Sequence, residues 1–216
     1  MTDYMGPLSG VVVALDVDGV LLDSASDTRG HWKTQFARRF GVDADQLRDV
    51  FFLRWWPDII VGRQRVEAGL ADAFSALGWD IDVEDALACW FDGDFFINSE
   101  VVQAANEWSS RGARIVLATN QERRRASYLE HRLAPLVPFS GMAYSGQLGF
   151  LKDEMSFYLE AERLLDIPSP GAVVLVDDTA DNVETAHRHG WLGLHFEKGS
   201  HWRSTVEELL YRASGC

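Results

Sequence analysis

The stretch Val11-Val12-Val13-Ala14-Leu15-Asp16-Val17-Asp18-Gly19-Val20 predicts both the first strand of the fold and part of its chemistry. Its first five residues are apolar and mostly β-branched, as in a strand buried on both faces of a sheet. Asp16 ends this strand, Asp18 follows, and Gly19 permits a sharp turn. Neighbouring carboxylates repel, so they recruit a cation or hold a proton, and they can divide into a nucleophile and a general acid/base. A plain turn or a calcium loop is the alternative, but the following residues lack the final Glu of an EF-hand.

Further apolar runs predict the rest of a sheet. They are Arg114–Ala118, Ala172–Val176 and the weaker Leu192–Phe196. Helical patterns lie between and after them, at Glu100–Arg111, Glu122–Leu133, Glu154–Leu165, Asp181–His189 and Arg203–Tyr211. Strands that alternate with helices predict an α/β fold, with a Rossmann-like parallel sheet and helices on both faces. Because ligands bind at the carboxyl edge of such a sheet, the residues that end the three strongest strands, Asp16, Thr119 and Asp177, are expected to converge there.

The segment 24–97 has a different pattern. It contains helical patterns and five of the eight tryptophans, but no clean apolar strand. We interpret the tryptophans as the core of an α-helical insertion. The predicted domains are therefore an α/β core of residues 1–23 and 98–216 and a helical cap of residues 24–97. The predicted helices of the cap are Gly30–Phe40, Ala44–Leu53, Arg65–Leu77 and Val83–Phe91.

Composition narrows the class of function. The 216 residues include 20 Lys plus Arg and 33 Asp plus Glu, a net charge of −13, which argues against nucleic acid or an anionic membrane as the main partner. Two cysteines exclude a disulfide framework, and no signal peptide or membrane-spanning run is visible. We expect a cytoplasmic protein with a small-molecule substrate; the sequence does not indicate an oligomeric state.

The pair Thr119-Asn120 is a candidate phosphate site. A hydroxyl and backbone N–H groups at a strand end can cradle a phosphate oxygen. Thr and Asn are also common helix N-caps, and Glu122 lies three residues after Thr119, as in a capping box.

Lys152 is a candidate phosphate ligand in a chain with only three lysines. Brought to the carboxylate edge, it would neutralise both a nucleophile and a substrate phosphate. A solvated lysine before a helix is the alternative interpretation.

The run Asp177-Asp178-Thr179-Ala180-Asp181-Asn182 is a candidate metal site. Mg²⁺ prefers one or two carboxylates together with water and phosphate oxygens. Asp177 meets that need beside Asp16, and Asp178 and Asn182 would support the site by holding metal waters or orienting Lys152. A simple helix cap at Asp178 or Thr179 is the alternative.

The four motifs together resemble the haloacid dehalogenase-like (HAD) hydrolase superfamily. Its signature motifs appear in order as DVDGV, LATN, Lys152 and VDDTADN, and the resemblance covers Val11–Leu210. The long interval between the first two motifs is similar to members whose helical cap is inserted there. The surroundings of motifs three and four resemble the capped branch of sugar-phosphate phosphatases and the phosphatase domain of soluble epoxide hydrolases. Asp153 departs from that pattern, since Pro often follows the lysine.

The resemblance implies a phosphatase that works in two steps through an aspartyl-phosphate. Asp16 would be the nucleophile, and Asp18 the acid for the leaving alcohol and then the base for water. Asp16, the main-chain carbonyl of Asp18, and Asp177 would bind Mg²⁺. The phosphoryl oxygens would be held by Thr119, the backbone of Asn120, and Lys152.

Specificity and the alternatives remain open at the sequence level. Trp55 and Arg63 in the cap, and Arg123 after motif two, are candidates for reading the substrate. A phosphomutase of the same fold shares every motif. A 2-haloacid dehalogenase needs no leaving-group acid, so Asp18 disfavours it. A non-catalytic module that binds a phosphorylated ligand is the remaining alternative.

Overall fold

A parallel sheet forms the centre of the computed structural model, which describes residues 6–23, 31–167 and 169–215. The strands pair in the order β3-β2-β1-β4-β5, and all pairs are parallel. Their bounds are β1 Val12–Leu15, β2 Arg114–Thr119, β3 Phe139–Tyr144, β4 Val173–Asp177 and β5 Leu192–His195. The crossover order places β1 between β2 and β4, so the three strands predicted to end in site residues are neighbours.

Helices cover both faces of this sheet, which confirms the predicted fold class. Successive β1 residues point to opposite faces, as the period of a strand requires. Val13 and Leu15 pack in one buried cluster with residues of α5, α6 and α10, whereas Val12 and Ala14 pack in another with residues of α8 and α9. The helices are α5 Ser99–Ser110, α6 Arg123–Leu133, α7 Ser145–Leu148, α8 Met155–Leu165, α9 Ala180–His189 and α10 Trp202–Ala213.

The chain between β1 and β2 is helical and packs around an apolar cluster of its own. Its helices are α1 His31–Phe40, α2 Trp56–Ile59, α3 Val66–Leu77 and α4 Val83–Gly93. Trp32 and Trp90 are buried in this cluster, and Trp55, Trp56 and Trp79 pack against it. The tryptophans are therefore core residues, as predicted. We call the described part of this segment, residues 31–97, the helical insertion; residues 24–30 lie outside the described chain, and the exact domain boundaries stay a prediction.

Two details differ from the sequence prediction. The helix predicted over Ala44–Leu53 is a 3₁₀ turn at Ala44–Gln46 followed by a π-helical segment at Arg48–Phe52, and the Asp43 carboxylate accepts the N–H of Asp45 to open the turn. Strand β3 was not predicted, because Ser140 and Gly141 interrupt its apolar pattern at the edge of the sheet. Within the described ranges, no helix combines the length and the apolar character that crossing a membrane requires.

Candidate active site

A cavity of about 310 Å³ opens at the carboxyl edge of the sheet. The predicted convergence is visible there, because residues from the ends of β1, β2 and β4 come together although they are far apart in sequence. The predicted site residues that line the cavity are Asp16, Asp18, Thr119, Asn120, Lys152, Asp178 and Asn182. Asp177 lies directly behind them, fully buried at the end of β4.

Lys152 is the buried centre of the site. Its Nζ lies 2.6 Å from Oδ2 of Asp16 and 2.7 Å from Oδ2 of Asp177. Its side chain is 1% exposed, so the interpretation as a solvated surface lysine is wrong. The loop that carries Lys152 is held in place by Asn120, whose Oδ1 accepts the Lys152 N–H at 3.0 Å. The side chain that follows β2 therefore fixes the lysine that the resemblance assigns to the phosphate.

Burial controls the protonation of this cluster. Removal from water raises the pKa of Asp16 to about 7; the Lys152 ammonium opposes this shift, and the Asp177 carboxylate adds to it. The pKa of Lys152 is raised despite its burial, because the two carboxylates stabilise the ammonium. The pKa of Asp178 is also raised, first by burial and then by Asp177. Negative charge is therefore in excess at this point, which favours a bound cation.

Asp177 is oriented by the start of α9. Its Oδ1 accepts the backbone N–H of Thr179 at 2.9 Å and the amide of Asn182 at 3.0 Å. Asn182 thus orients the buried aspartate rather than Lys152, to which the sequence interpretation linked it. Thr179 stands at the N-cap of α9, but no side-chain hydrogen bond caps the helix there.

A metal ion fits this set of donors. Carboxylate oxygens of Asp16, Asp177 and Asp178 lie within 4.8 Å of one another, and hard oxygen ligands suit Mg²⁺. Asp178, predicted as a supporting residue, belongs to this cluster.

Thr119 and Asn120 end β2 at the cavity wall. Thr119 is 1% exposed and is not the cap of the next helix. Glu122 is that cap, because its carboxylate accepts the N–H groups of Arg124 and Arg125. The capping-box interpretation is therefore wrong, and the Thr119 hydroxyl has no capping role.

Asp18 is held by residues that the sequence analysis did not single out. Nη2 of Arg125 lies 2.7 Å from its Oδ1, and Nε2 of Gln121 lies 2.6 Å from its Oδ2. Asp94, at the end of α4, also lines the cavity, and its Oδ2 lies 3.6 Å from Nη1 of Arg125. The start of α6 at Arg123 decides which arginine of the run faces inward, and this start could have been inferred only by recognising Glu122 as the cap.

Comparison with known proteins agrees with this site. A family model described as haloacid dehalogenase-like hydrolase matches residues 11–190, most of the chain. The chain belongs to the haloacid dehalogenase-like hydrolase family. Among curated proteins, no significant match to this HAD-like hydrolase was found.

Solved structures share the fold of this HAD-like hydrolase. A HAD family enzyme of Bacteroides thetaiotaomicron, in complex with magnesium and inorganic phosphate, superimposes with a TM-score of 0.70 at 13% identity, covering 90% of this chain and 98% of that one. A predicted HAD-like family hydrolase of Porphyromonas gingivalis gives 0.68 at 21%, covering 93% and 97%. A 2-haloacid dehalogenase of Pseudomonas syringae pv. Tomato gives 0.65 at 22%, covering 94% and 98%.

The predicted specificity residues of this HAD-like hydrolase lie away from the cavity. Trp55 donates its indole N–H to Asp72 and packs on the core of the insertion. Arg63 is exposed and lies 3.3 Å from Asp58. Arg123, the arginine of the run predicted to point to the site, lines a separate hollow with Gly62 and Arg65. The arginine that reaches the cavity is Arg125.

Proposed function

We propose that this HAD-like hydrolase is a Mg²⁺-dependent phosphatase that cleaves a small phosphomonoester through an aspartyl-phosphate on Asp16. The observation that carries the proposal is the presence of Asp18 in the same cavity as Asp16. A transfer to carbon, as in a dehalogenase, needs no acid for a leaving alcohol, whereas phosphate ester cleavage does. The magnesium and phosphate bound by the enzyme of Bacteroides thetaiotaomicron support the same choice.

The first step forms the covalent intermediate. An oxygen of Asp16 attacks phosphorus as the bond from phosphorus to the alcohol oxygen breaks. Asp18 gives its proton to that oxygen, and the alcohol leaves. The negative oxygens of the phosphoryl group would be held by Lys152, the Thr119 hydroxyl and the backbone N–H of Asn120, which is stabilisation by groups fixed in advance.

The second step releases phosphate. Asp18, now a carboxylate, takes a proton from water as the water oxygen attacks phosphorus, and the bond from Asp16 to phosphorus breaks. The products are inorganic phosphate and the original Asp16 carboxylate. Asp18 returns to its acid form by giving up that proton only when the next alcohol leaves, so the cycle balances.

Mg²⁺ would be held by Asp16, the main-chain carbonyl of Asp18, and Asp177, with Asp178 in the same carboxylate cluster. When bound, it neutralises charge on the phosphoryl oxygens. The helical insertion would serve as the cap of the site, and Asp94 is its residue at the cavity wall.

The test is phosphate release from p-nitrophenyl phosphate, sugar phosphates, phosphoglycolate and nucleotides, with Mg²⁺ and with EDTA. We expect release that requires the metal and is absent in Asp16→Asn. Formation of an isomer without phosphate would indicate a phosphomutase instead. Halide release from a 2-haloacid in EDTA would indicate a dehalogenase, and failure of both activities with retained phosphate binding would indicate a binding module.

A further inference from the structure

Both oxygens of the Asp18 carboxylate are held by buried donors. Arg125 contacts Oδ1 at 2.7 Å and Gln121 contacts Oδ2 at 2.6 Å. The side chain of Asp18 is 48% exposed to the cavity, but that of Arg125 is only 8% exposed. Gln121 is also buried. An exposed carboxylate that is fixed at both oxygens from below has one orientation toward the cavity.

Arg125 is itself fixed from two sides. Its backbone N–H is accepted by Glu122 in the first turn of α6. Its Nη1 lies 3.6 Å from Oδ2 of Asp94, and the same oxygen accepts the indole N–H of Trp90 at 3.2 Å. One guanidinium therefore lies between a carboxylate of the α/β core and a carboxylate of the helical insertion.

Packing alone does not account for this arginine. A buried guanidinium is costly unless its hydrogen bonds are satisfied, and an apolar side chain would fill the place at lower cost. Within the described part of the chain, Nε of Arg125 is buried without a hydrogen-bond partner. The guanidinium thus occupies an incompletely satisfied position whose best contact is with Asp18.

We propose that Arg125 and Gln121 are positioning residues that fix the carboxyl group of Asp18 for proton transfer to the leaving oxygen, and that Asp94 ties Arg125 to the helical insertion. The inference rests on the proposed phosphatase function. The proton moves from Asp18 to the alcohol oxygen while the phosphorus–oxygen bond breaks and the bond from Asp16 to phosphorus forms. Arg125 and Gln121 neither gain nor lose a proton in this step.

The leaving group separates positioning from a purely structural role. An alkoxide is a poor leaving group and needs the proton, whereas p-nitrophenolate leaves without it. A misplaced acid therefore slows an alkyl ester much more than an aryl ester. A loosened fold or a damaged phosphate site slows both equally. The ratio of kcat/KM for the two esters reports the positioning, because kcat/KM covers the step in which the alcohol leaves.

The experiment compares glycerol 2-phosphate with p-nitrophenyl phosphate in saturating Mg²⁺. The variants are Arg125→Gln, Arg125→Lys and Gln121→Met, and circular dichroism checks their folding. General acid catalysis contributes roughly 10²–10⁴-fold, so we expect Arg125→Gln to lose about 100-fold on the alkyl ester and less than about fivefold on the aryl ester. Arg125→Lys keeps one donor and should recover part of the loss. Gln121→Met should shift the ratio in the same direction and serves alone if Arg125→Gln does not fold.

Arg124→Gln is the matched control. Arg124 is the preceding residue of α6 and contacts Glu67 and Glu84 of the insertion, away from the cavity. Its replacement should leave the ratio of the two esters unchanged. Equal losses on both esters in the Arg125 and Gln121 variants would overturn this inference while leaving the phosphatase proposal standing. Absence of turnover in the wild-type protein would overturn both.

Discussion

Gly19 and the carboxylate of Asp178 lie in direct contact across the cavity floor. Gly19 has a φ of +82°, and a Cβ atom there would overlap the Asp178 carboxyl group. The glycine of the first motif therefore provides more than a turn, because its missing side chain leaves room for a carboxylate of the candidate metal cluster.

Gly19→Ala should consequently damage both stability and metal binding. We expect the affinity for Mg²⁺, measured by calorimetry, to fall about 10–100-fold, as for other changes beside a metal site. Gly10→Ala is the control, since Gly10 has a nearly identical φ of +86° but open space around it. That control should lose about 1–2 kcal/mol of unfolding free energy from backbone strain alone, with unchanged metal affinity. Equal effects of the two changes would contradict the role given to this contact.

Lys152→Met should show the value of the buried cation. Removing one partner of a buried ion pair leaves uncompensated charge and costs about 3–5 kcal/mol. We expect a loss of this size in the free energy of unfolding in EDTA, and a smaller loss in Mg²⁺, because a divalent cation replaces the missing charge. Lys33→Met is the control: Lys33 lies 2.6 Å from Asp45, but this exposed pair contributes less than about 1 kcal/mol. A loss for Lys152→Met that is the same with and without Mg²⁺ would argue against a metal at this cluster.

The sequence predicted the parts of the site that are attached to regular, buried strands. Asp16, Thr119 and Asp177 each follow a run of buried apolar residues, so their position at one edge of the sheet could be inferred from topology alone. Strand β3 escaped this reasoning because it is an edge strand, and its sequence lacks the uninterrupted apolar run of a fully buried one.

Arg125 and Asp94 were missed for a different reason. The direction of an arginine on a helix depends on where the helix begins, and α6 begins one residue after an unusual cap, Glu122. The meeting of Asp94 with Arg125 depends on how the insertion packs against the core, which no local pattern specifies. Contacts between separately folded segments carry little signal in a single sequence.

The affinity for Mg²⁺ should depend on pH through Asp16. Burial raises the pKa of this carboxyl to about 7, and it must lose its proton before it binds a cation. We therefore expect affinity to rise with pH by up to about tenfold per unit below pH 7 and to level off above it. Calorimetry in buffers of different ionisation enthalpy would count the released proton. Asp16→Asn should bind the metal more weakly and release about one proton fewer, and a flat profile in the wild-type protein would refute the assignment.

Stability should depend on pH through Asp94 at the contact between core and insertion. Burial raises the pKa of Asp94 to about 6, although Arg125 opposes the shift. A raised pKa means that the folded state holds the proton more tightly than the unfolded state, so this carboxyl lowers stability as pH rises from about 4 to about 6. The change is at most about 3 kcal/mol and is complete above pH 6. Asp94→Asn cannot ionise, so the difference in unfolding free energy between variant and wild type should grow in the variant's favour over this interval, as measured by urea unfolding. Parallel pH profiles for the two proteins would show that Asp94 carries its proton equally in both states, and the buried contact with Arg125 would then have no influence on its ionisation.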